Sequence, residues 1–296
     1  MLKRKTLNCN GKPVFIDRPL VMGIMNVTPD SFYDGSRCFS ESALLRRCET
    51  IIAEGGDMID VGAVSTRPGA QEVDTDQEMQ ILDWALACLR KHFPDAMISV
   101  DTYRAAVAKA VVENYDVDII NDISAGSLDV RMFETIATLN VPYVVTHIQG
   151  TPSTMQENPV YNNLMEEIIS HFSDCIHRLH SLGVKDIIID PGFGFGKTLD
   201  HNYEILWHLK DLEIFEVPIM VGLSRKSMIY NLLETDAAHA LNGTTAANTL
   251  ALISGADILR VHDVKEAVEC VKIVGKTEKG KRKRENGKRK TLNINH

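Results

Sequence analysis

MISVDTYRAAVAKAVVENYDVDIIND, residues 97–122, holds two short apolar runs with a helical stretch between them. The first run ends in Asp101 and the second in Asn121 and Asp122, while Ala105, Ala108, Val111 and Val112 recur at helical spacing. Strands apolar on both faces and separated by a helix read as neighbours in a buried parallel sheet. The same unit repeats along the chain. Strands are predicted at LVMGIM (20–25), DMIDVG (57–62), MISVD (97–101), VDIIND (117–122), PYVVTH (142–147), DIIID (186–190), PIMVGLS (218–224) and DILRVH (257–262). Amphipathic segments such as QEMQILDWALACLRKHF (77–93) and LMEEIISHFSDCIHRLHSLG (164–183) lie between them. Eight βα units in series favour a closed (β/α)₈ TIM barrel over an open doubly wound sheet, and such a barrel takes about 250 residues. The chain of 296 residues, 44% hydrophobic, is therefore read as one α/β domain over 20–275, with a lead-in at 1–19 and a tail at 276–296.

The net charge of -8 is unevenly spread. Residues 276–296 hold nine Lys/Arg against Glu278 and Glu285, a surplus of seven, so the rest of the chain sums to -15. Lacking an apolar face, this tail is read as disordered. An acidic body argues against general nucleic-acid binding, and an anionic small substrate then needs a few local cations. Six scattered cysteines with no C-x-x-C pair suggest reduced thiols rather than a disulfide framework or zinc cluster. Basic residues at the N-terminus are followed by no apolar stretch, and no window approaches a membrane span, so a cytoplasmic protein is expected.

In a barrel, polar residues at the C-terminal ends of strands point into the mouth. Here they are Asn26, Asp101, Asn121 with Asp122, His147, Asp190, Ser224 with Lys226, and Arg260 with His262. A strand-end Asp is often a helix cap, and Asp101, just before a helix, has that rival reading. Asp101, Asn121 and Asp190 together make an acceptor-rich patch suited to a neutral heterocycle with adjacent N–H donors, such as a 2-amino-4-oxo ring. Lys226, Arg260 and His262 come from the last two strands, where barrels commonly hold phosphate. Arg260 and His262, two residues apart, share one face of their strand. The connections at 26–40 and 63–74 are long and polar, and are read as lids over the mouth.

DPGFGFGK (190–197) is not a P-loop, since the first required glycine falls at Pro191, and it lacks the G-x-G-x-x-G spacing. Its glycines are read as letting the backbone pass close to a flat ligand, with Phe195 as a wall. The sequence contains no H-E-x-x-H, and His177 with His180 are read as a solvated helix face. A Mg²⁺ held by one side-chain amide and a diphosphate would leave little more mark than Asn26.

MGIMNVTPDSFYDG (22–35), DVGAVSTRPGA (60–70), SVDT (99–102), IINDI (119–123), THIQGTPSTMQ (146–156), DPGFGFGK (190–197), VGLSRKSMI (221–229) and RVHDV (260–264) resemble, in order, the motifs of the dihydropteroate synthases. The likeness runs from about residue 20 to 275. It implies a TIM barrel that condenses 6-hydroxymethyl-7,8-dihydropterin diphosphate with 4-aminobenzoate in folate biosynthesis. By motif position, Asp101, Asn121, Asp190 and Lys226 would hold the pterin. Asn26, Arg67, Arg260 and His262 would hold the diphosphate, with Mg²⁺ on Asn26. Phe32, Thr66, Arg67, Pro68, Phe195, Lys226 and Ser227 would hold 4-aminobenzoate, and Asp34 would steady the charge or the amine during catalysis. The resemblance also implies a homodimer. Two departures stand out: Val64 where Glu is common, and Ile148 where Met is common. Two rivals are weighed. Methyltetrahydrofolate-binding methyltransferases would have no need of the Lys226, Arg260 and His262 anion set. A pterin-binding protein without catalysis would be expected to lack Asn26, Arg67 or Arg260.

Overall fold

The computed structural model describes residues 5–27, 41–64, 73–152, 154–155 and 157–277. Strands β1 (Lys5–Cys9) and β2 (Lys12–Ile16) form an antiparallel hairpin. Its turn is Asn10–Gly11, both at positive φ, which suits the two-residue turn of a twisted hairpin. The lead-in expected at 1–19 thus contains a built element.

Eight parallel strands follow: β3 (Leu20–Asn26), β4 (Met58–Gly62), β5 (Ile98–Asp101), β6 (Ile119–Asp122), β7 (Tyr143–Thr146), β8 (Ile187–Asp190), β9 (Met220–Val221) and β10 (Ile258–Val261). Their order in the sheet is β8-β7-β6-β5-β4-β3-β10-β9. The ring is joined between β8 and β9 by a parallel bridge, Ile189 to Ile219, and by Ile189 N–H donating to Pro218 O at 3.0 Å. β9 is shorter than the run 218–224 predicts, because the chain turns at Leu223, whose carbonyl accepts from Lys226 N–H at 3.2 Å.

Helices cover the outside: α1 (Glu41–Ala53), α2 (Thr75–His92), α3 (Ala105–Tyr115), α4 (Met132–Leu139), α5 (Leu164–Ser181), α6 (Leu199–His208), α7 (Ser227–Tyr230), α8 (Leu241–Ile253) and α9, residues 264–277. Their starts are chemically marked. Asp74 and Gln77 form a reciprocal capping box on α2, and Thr198 and His201 do the same on α6. α9 continues through residue 277, two residues into the stretch assigned to the tail, and 278–296 lie outside the described residues.

Strand alternation splits the core in two. Outward residues such as Val61, Val100, Ile120, Val145 and Leu259 pack under the helices. Inward residues Met22, Met58, Ile119, Val144, Ile188, Met220 and Ile258 form a layer at the bottom of the barrel, which Leu7, Cys9 and Ile16 of the hairpin seal. Lys5 pairs with Asp257 at 2.6 Å, and Asn8 N–H donates to Asp186 at 2.9 Å, tying the hairpin to the lower rim.

Candidate active site

Two residues further along the same strands, the inward positions turn polar. Met58 is followed by Asp60, Ile119 by Asn121, Ile188 by Asp190 and Ile258 by Arg260. The strand period of two makes this one layer above the other. Arg260 occupies its centre: its Nε donates to Asp60 Oδ2 at 2.6 Å and its Nη2 to Asp101 Oδ2 at 2.7 Å. Asn121 Nδ2 also donates to Asp60 Oδ2, at 3.1 Å. The acceptor patch and the anion set, assigned to separate sides from the sequence, meet through this guanidinium.

Asp60 is fully buried, and its Oδ1 has no hydrogen-bond partner. It was not singled out from the sequence, although an Asp inside an otherwise apolar strand is a signal, because an unpaired buried carboxylate is costly. One guanidinium serves two carboxylates here. Burial, with Asp60, Glu78 and Asp122 nearby, pushes the Asp101 carboxyl up to about 7 despite Arg260. Burial would lower the Arg260 guanidinium, but Asp60 and Asp101 outweigh it and keep it cationic. Asp101 does not cap a helix: α3 begins after Arg104, and the Asp101 carboxylate faces Arg260.

On the other side of the mouth, burial raises Asp190, while Lys226 and the N–H of Gly192 pull it back down. The Lys226 ammonium donates to Phe193 O and lies 4.5 Å from the centre of the Phe195 ring, a cation–π contact. Burial lowers Lys226 to about 8, opposed by Asp190 and Asp101. Ser227, exposed, begins α7 directly after it. His262 extends from the end of β10, with its N–H on Ser224 Oγ at 3.2 Å. Asn26 is exposed at the end of β3, paired in register with Gly62. Arg47 of α1 reaches over this seam and donates to Ile24 O at 3.1 Å and to His262 O at 2.8 Å. Phe32, Asp34, Thr66, Arg67 and Pro68 lie outside the described residues.

The glycine segment is held differently from the expectation. A side chain at Gly192 would collide with His147 O, and one at Gly196 with Gln149 O, and both glycines have positive φ. These two glycines let the loop lie against the protein's own backbone after β7. Gly194 faces Lys226 instead. Lys197, another residue not singled out, is buried beneath the loop. Its Nζ lies 2.9 Å from His147 Nδ1 and donates to His147 O at 3.2 Å and Phe195 O at 2.9 Å. Burial lowers Lys197 well below the usual lysine range and lowers His147 to about 2, so His147 stays neutral. Asp122 is structural: it accepts from Tyr143 Oη at 2.6 Å and from the N–H groups of Ser124 and Gly126.

Residues 22–262 match the sequence profile of the pterin binding enzymes. Over 273 residues the chain is 40% identical to the dihydropteroate synthase of Escherichia coli (strain K12), covering 92% of this chain and 96% of that protein. The chain belongs to the dihydropteroate synthase family. The dihydropteroate synthase of Haemophilus influenzae is 38% identical over 269 residues, covering 90% of this chain and 97% of that one. Among solved structures, a dihydropteroate synthase of Yersinia pestis in a sulfonamide drug complex superposes with a TM-score of 0.86 at 39% identity, covering 93% of this chain and 99% of that one. The Xanthomonas albilineans dihydropteroate synthase with 4-aminobenzoic acid gives 0.85 at 34% identity, with the same coverage. These are folate-synthesis transferases, and the barrel described above is theirs.

Proposed function

We propose that the mouth joins a dihydropterin diphosphate to 4-aminobenzoate through the residues just described. The observation that carries this reading is the buried Asp60, Asn121 and Asp190 with half-buried Asp101, beside Lys226 and Arg260. Acceptors gathered at the mouth of the barrel match the adjacent N–H donors of a 2-amino-4-oxo pterin, because a carboxylate can take two parallel hydrogen bonds. Asp101, Asn121, Asp190 and Lys226 hold the pterin in this reading. The orphaned Asp60 Oδ1 lies in the same layer, so Asp60 is added to the set.

The reaction breaks the bond between the exocyclic methylene carbon and the diphosphate oxygen and forms a carbon–nitrogen bond to the arylamine, which gives up a proton. Ring electrons can expel the leaving group, so no protein nucleophile is required. Arg260, His262 and Arg67 stabilise the departing negative charge, which they do best in a site closed to water. Asn26 offers one exposed amide oxygen at the rim, a donor suited to Mg²⁺, which takes most of its ligands from diphosphate and water. When bound, Mg²⁺ would supply further charge neutralisation to the diphosphate. Phe195, backed by Lys226, forms one wall for 4-aminobenzoate beside Ser227; the family motifs assign Phe32, Thr66, Arg67 and Pro68 to the same ligand and Asp34 to the amine.

A homodimer goes with this reading. Leu250 and Ile253 of α8 and Ile273 of α9 are 52%, 61% and 64% exposed, and offer an apolar face on neighbouring helices. No helix of the described residues is long and apolar enough to cross a membrane. Cys9, Cys48, Cys88, Cys175 and Cys270 are buried free thiols, which suits a cytoplasmic setting. The test is pyrophosphate release by the purified protein with both substrates and Mg²⁺, the organic product being weighed by mass spectrometry. Release that needs both substrates and yields dihydropteroate supports the reading; tight pterin binding without turnover would overturn it.

A further inference from the structure

Away from the mouth, three side chains from two helices converge. Glu41 opens α1, and Cys88 and His92 lie four residues apart at the end of α2. Residues at that spacing share one helix face, so Cys88 and His92 point the same way. Each can offer one ligand atom, and the three atoms lie within 4.8 Å of one another. His92 Nε2 and Glu41 Oε1 are 3.5 Å apart.

We propose that Glu41, Cys88 and His92 form a second metal site, for a borderline divalent cation of the zinc type, that ties α1 to α2. Thiolate, imidazole and carboxylate are the donor types zinc takes, at about 2.0–2.3 Å each. Ligands at those distances around a tetrahedral centre stand about 3.3–3.8 Å apart, so small side-chain rotations close the set. Mg²⁺ is a hard ion that prefers oxygen ligands, so it does not compete for the thiol. The three ligands leave one position for water. With thiolate and carboxylate ionised and the imidazole neutral, the site carries two negative charges, matching a divalent ion.

The burial pattern fits as well. Cys88 is 8% exposed, and the side chains of His92 and Glu41 are 38% and 57% exposed, which gives an ion a route in from solvent. Zinc takes cysteine as the thiolate, so binding displaces the Cys88 thiol proton to solvent. The cluster escapes a search for spaced motifs because Glu41 lies 47 positions before Cys88 and meets the α2 pair only through helix packing. α1 also carries Arg47, whose guanidinium holds the carbonyls of Ile24 and His262. The staple thus fixes the helix that braces the anion side of the mouth.

The test uses the full chain stripped of metal, with Mg²⁺ present, titrated with Co²⁺ as a spectroscopic stand-in for Zn²⁺. One Co²⁺ per chain should bind, with a thiolate-to-cobalt charge-transfer absorption that is lost in Cys88→Ser. Exposed His92→Ala and Glu41→Gln keep the core intact and should weaken binding by roughly tenfold or more, since even outer-shell partners are worth about 10–100-fold. Zn²⁺ should raise Tm by several degrees in the parent and not in His92→Ala. Absence of the charge-transfer band, or its persistence in Cys88→Ser, would overturn the proposal and leave the cluster as a His92–Glu41 ion pair over a buried thiol.

Discussion

The two ends of the barrel are made from the same strands, two residues apart. At the bottom, Met58, Ile119, Ile188 and Ile258 pack against the hairpin with no charge among them. At the mouth, Asp60, Asn121, Asp190 and Arg260 crowd carboxylates around one guanidinium. The bottom layer gains from the removal of apolar surface from water and asks nothing of a ligand. The mouth layer keeps polar capacity in reserve: Asp60 has an unsatisfied oxygen, and Asp101 is held toward its neutral form. The difference teaches that stability and recognition are assigned by height along the strand rather than by element. A core layer and a site layer can then change independently.

Arg260→Ala attacks the centre of the upper layer and should have the largest effect. It leaves two buried carboxylates without their partner, a change that typically costs about 3–5 kcal/mol, and it removes a cation from the leaving group, worth on the order of 10²–10³ in kcat. Steady-state kinetics and thermal melts on the same preparation check both. A variant with normal kcat/KM would erase the contrast between the layers. Met58→Ala does the converse. A cavity in the sealed bottom should cost about 2–5 kcal/mol in a denaturant titration while kcat/KM at 25 °C changes by less than about threefold. Loss of turnover without loss of stability would show that the layers are coupled.

The titrations of the mouth sharpen the comparison further. Asp101, raised to about 7, must be ionised to accept pterin N–H groups, and Lys226, lowered to about 8, must be protonated to counter negative charge. A plot of kcat/KM against pH should therefore be a narrow bell with limbs near those values. Asp60→Asn removes a like charge and should move the acid limb down. A profile flat from about pH 6 to 9 would break this account. Stability follows the opposite sign from ordinary ion pairs. Folded Asp101 keeps its proton up to about 7 while the unfolded carboxyl releases it near 3.8, so the stabilisation is lost as pH rises through that window. Folded Lys226 gives up its proton at about 8 against 10.5 unfolded, so its share returns as pH rises through that range. The smallest effect is expected from Arg47→Lys. A point charge cannot span Ile24 O and His262 O as a guanidinium does, and KM for the diphosphate substrate should rise about two- to fivefold with kcat little changed. A kcat loss without a KM change would place Arg47 elsewhere in the cycle.

Most of the barrel was legible because strands buried on both faces must be apolar throughout, and their spacing left room for one helix each. The hairpin was missed although its signal was present: Leu7 and Cys9 alternate with polar residues ahead of Asn10–Gly11. Each of its strands has only five residues and one apolar face, which is too short a pattern to stand out beside the barrel runs. The positions of Asp101, Asn121, Asp190, Lys226 and Arg260 at strand ends were legible for the same geometric reason as the strands. Their wiring was not. Which carboxylate Arg260 meets depends on how strands distant in sequence curve toward one another, and Asp60 and Lys197 act through contacts with residues 200 and 50 positions away. The metal-type cluster of Glu41, Cys88 and His92 was hidden for a related cause, since helix packing alone brings it together.

The hairpin's place beneath the barrel also bears on how the chain comes off the ribosome. Residues 5–16 are made before any strand of the barrel, yet their anchors, Asp186 and Asp257, come only just ahead of its sixth and eighth strands. The plug therefore waits, its apolar side uncovered, until the final strand emerges, and the vessel is closed from below only after synthesis has passed its last stave.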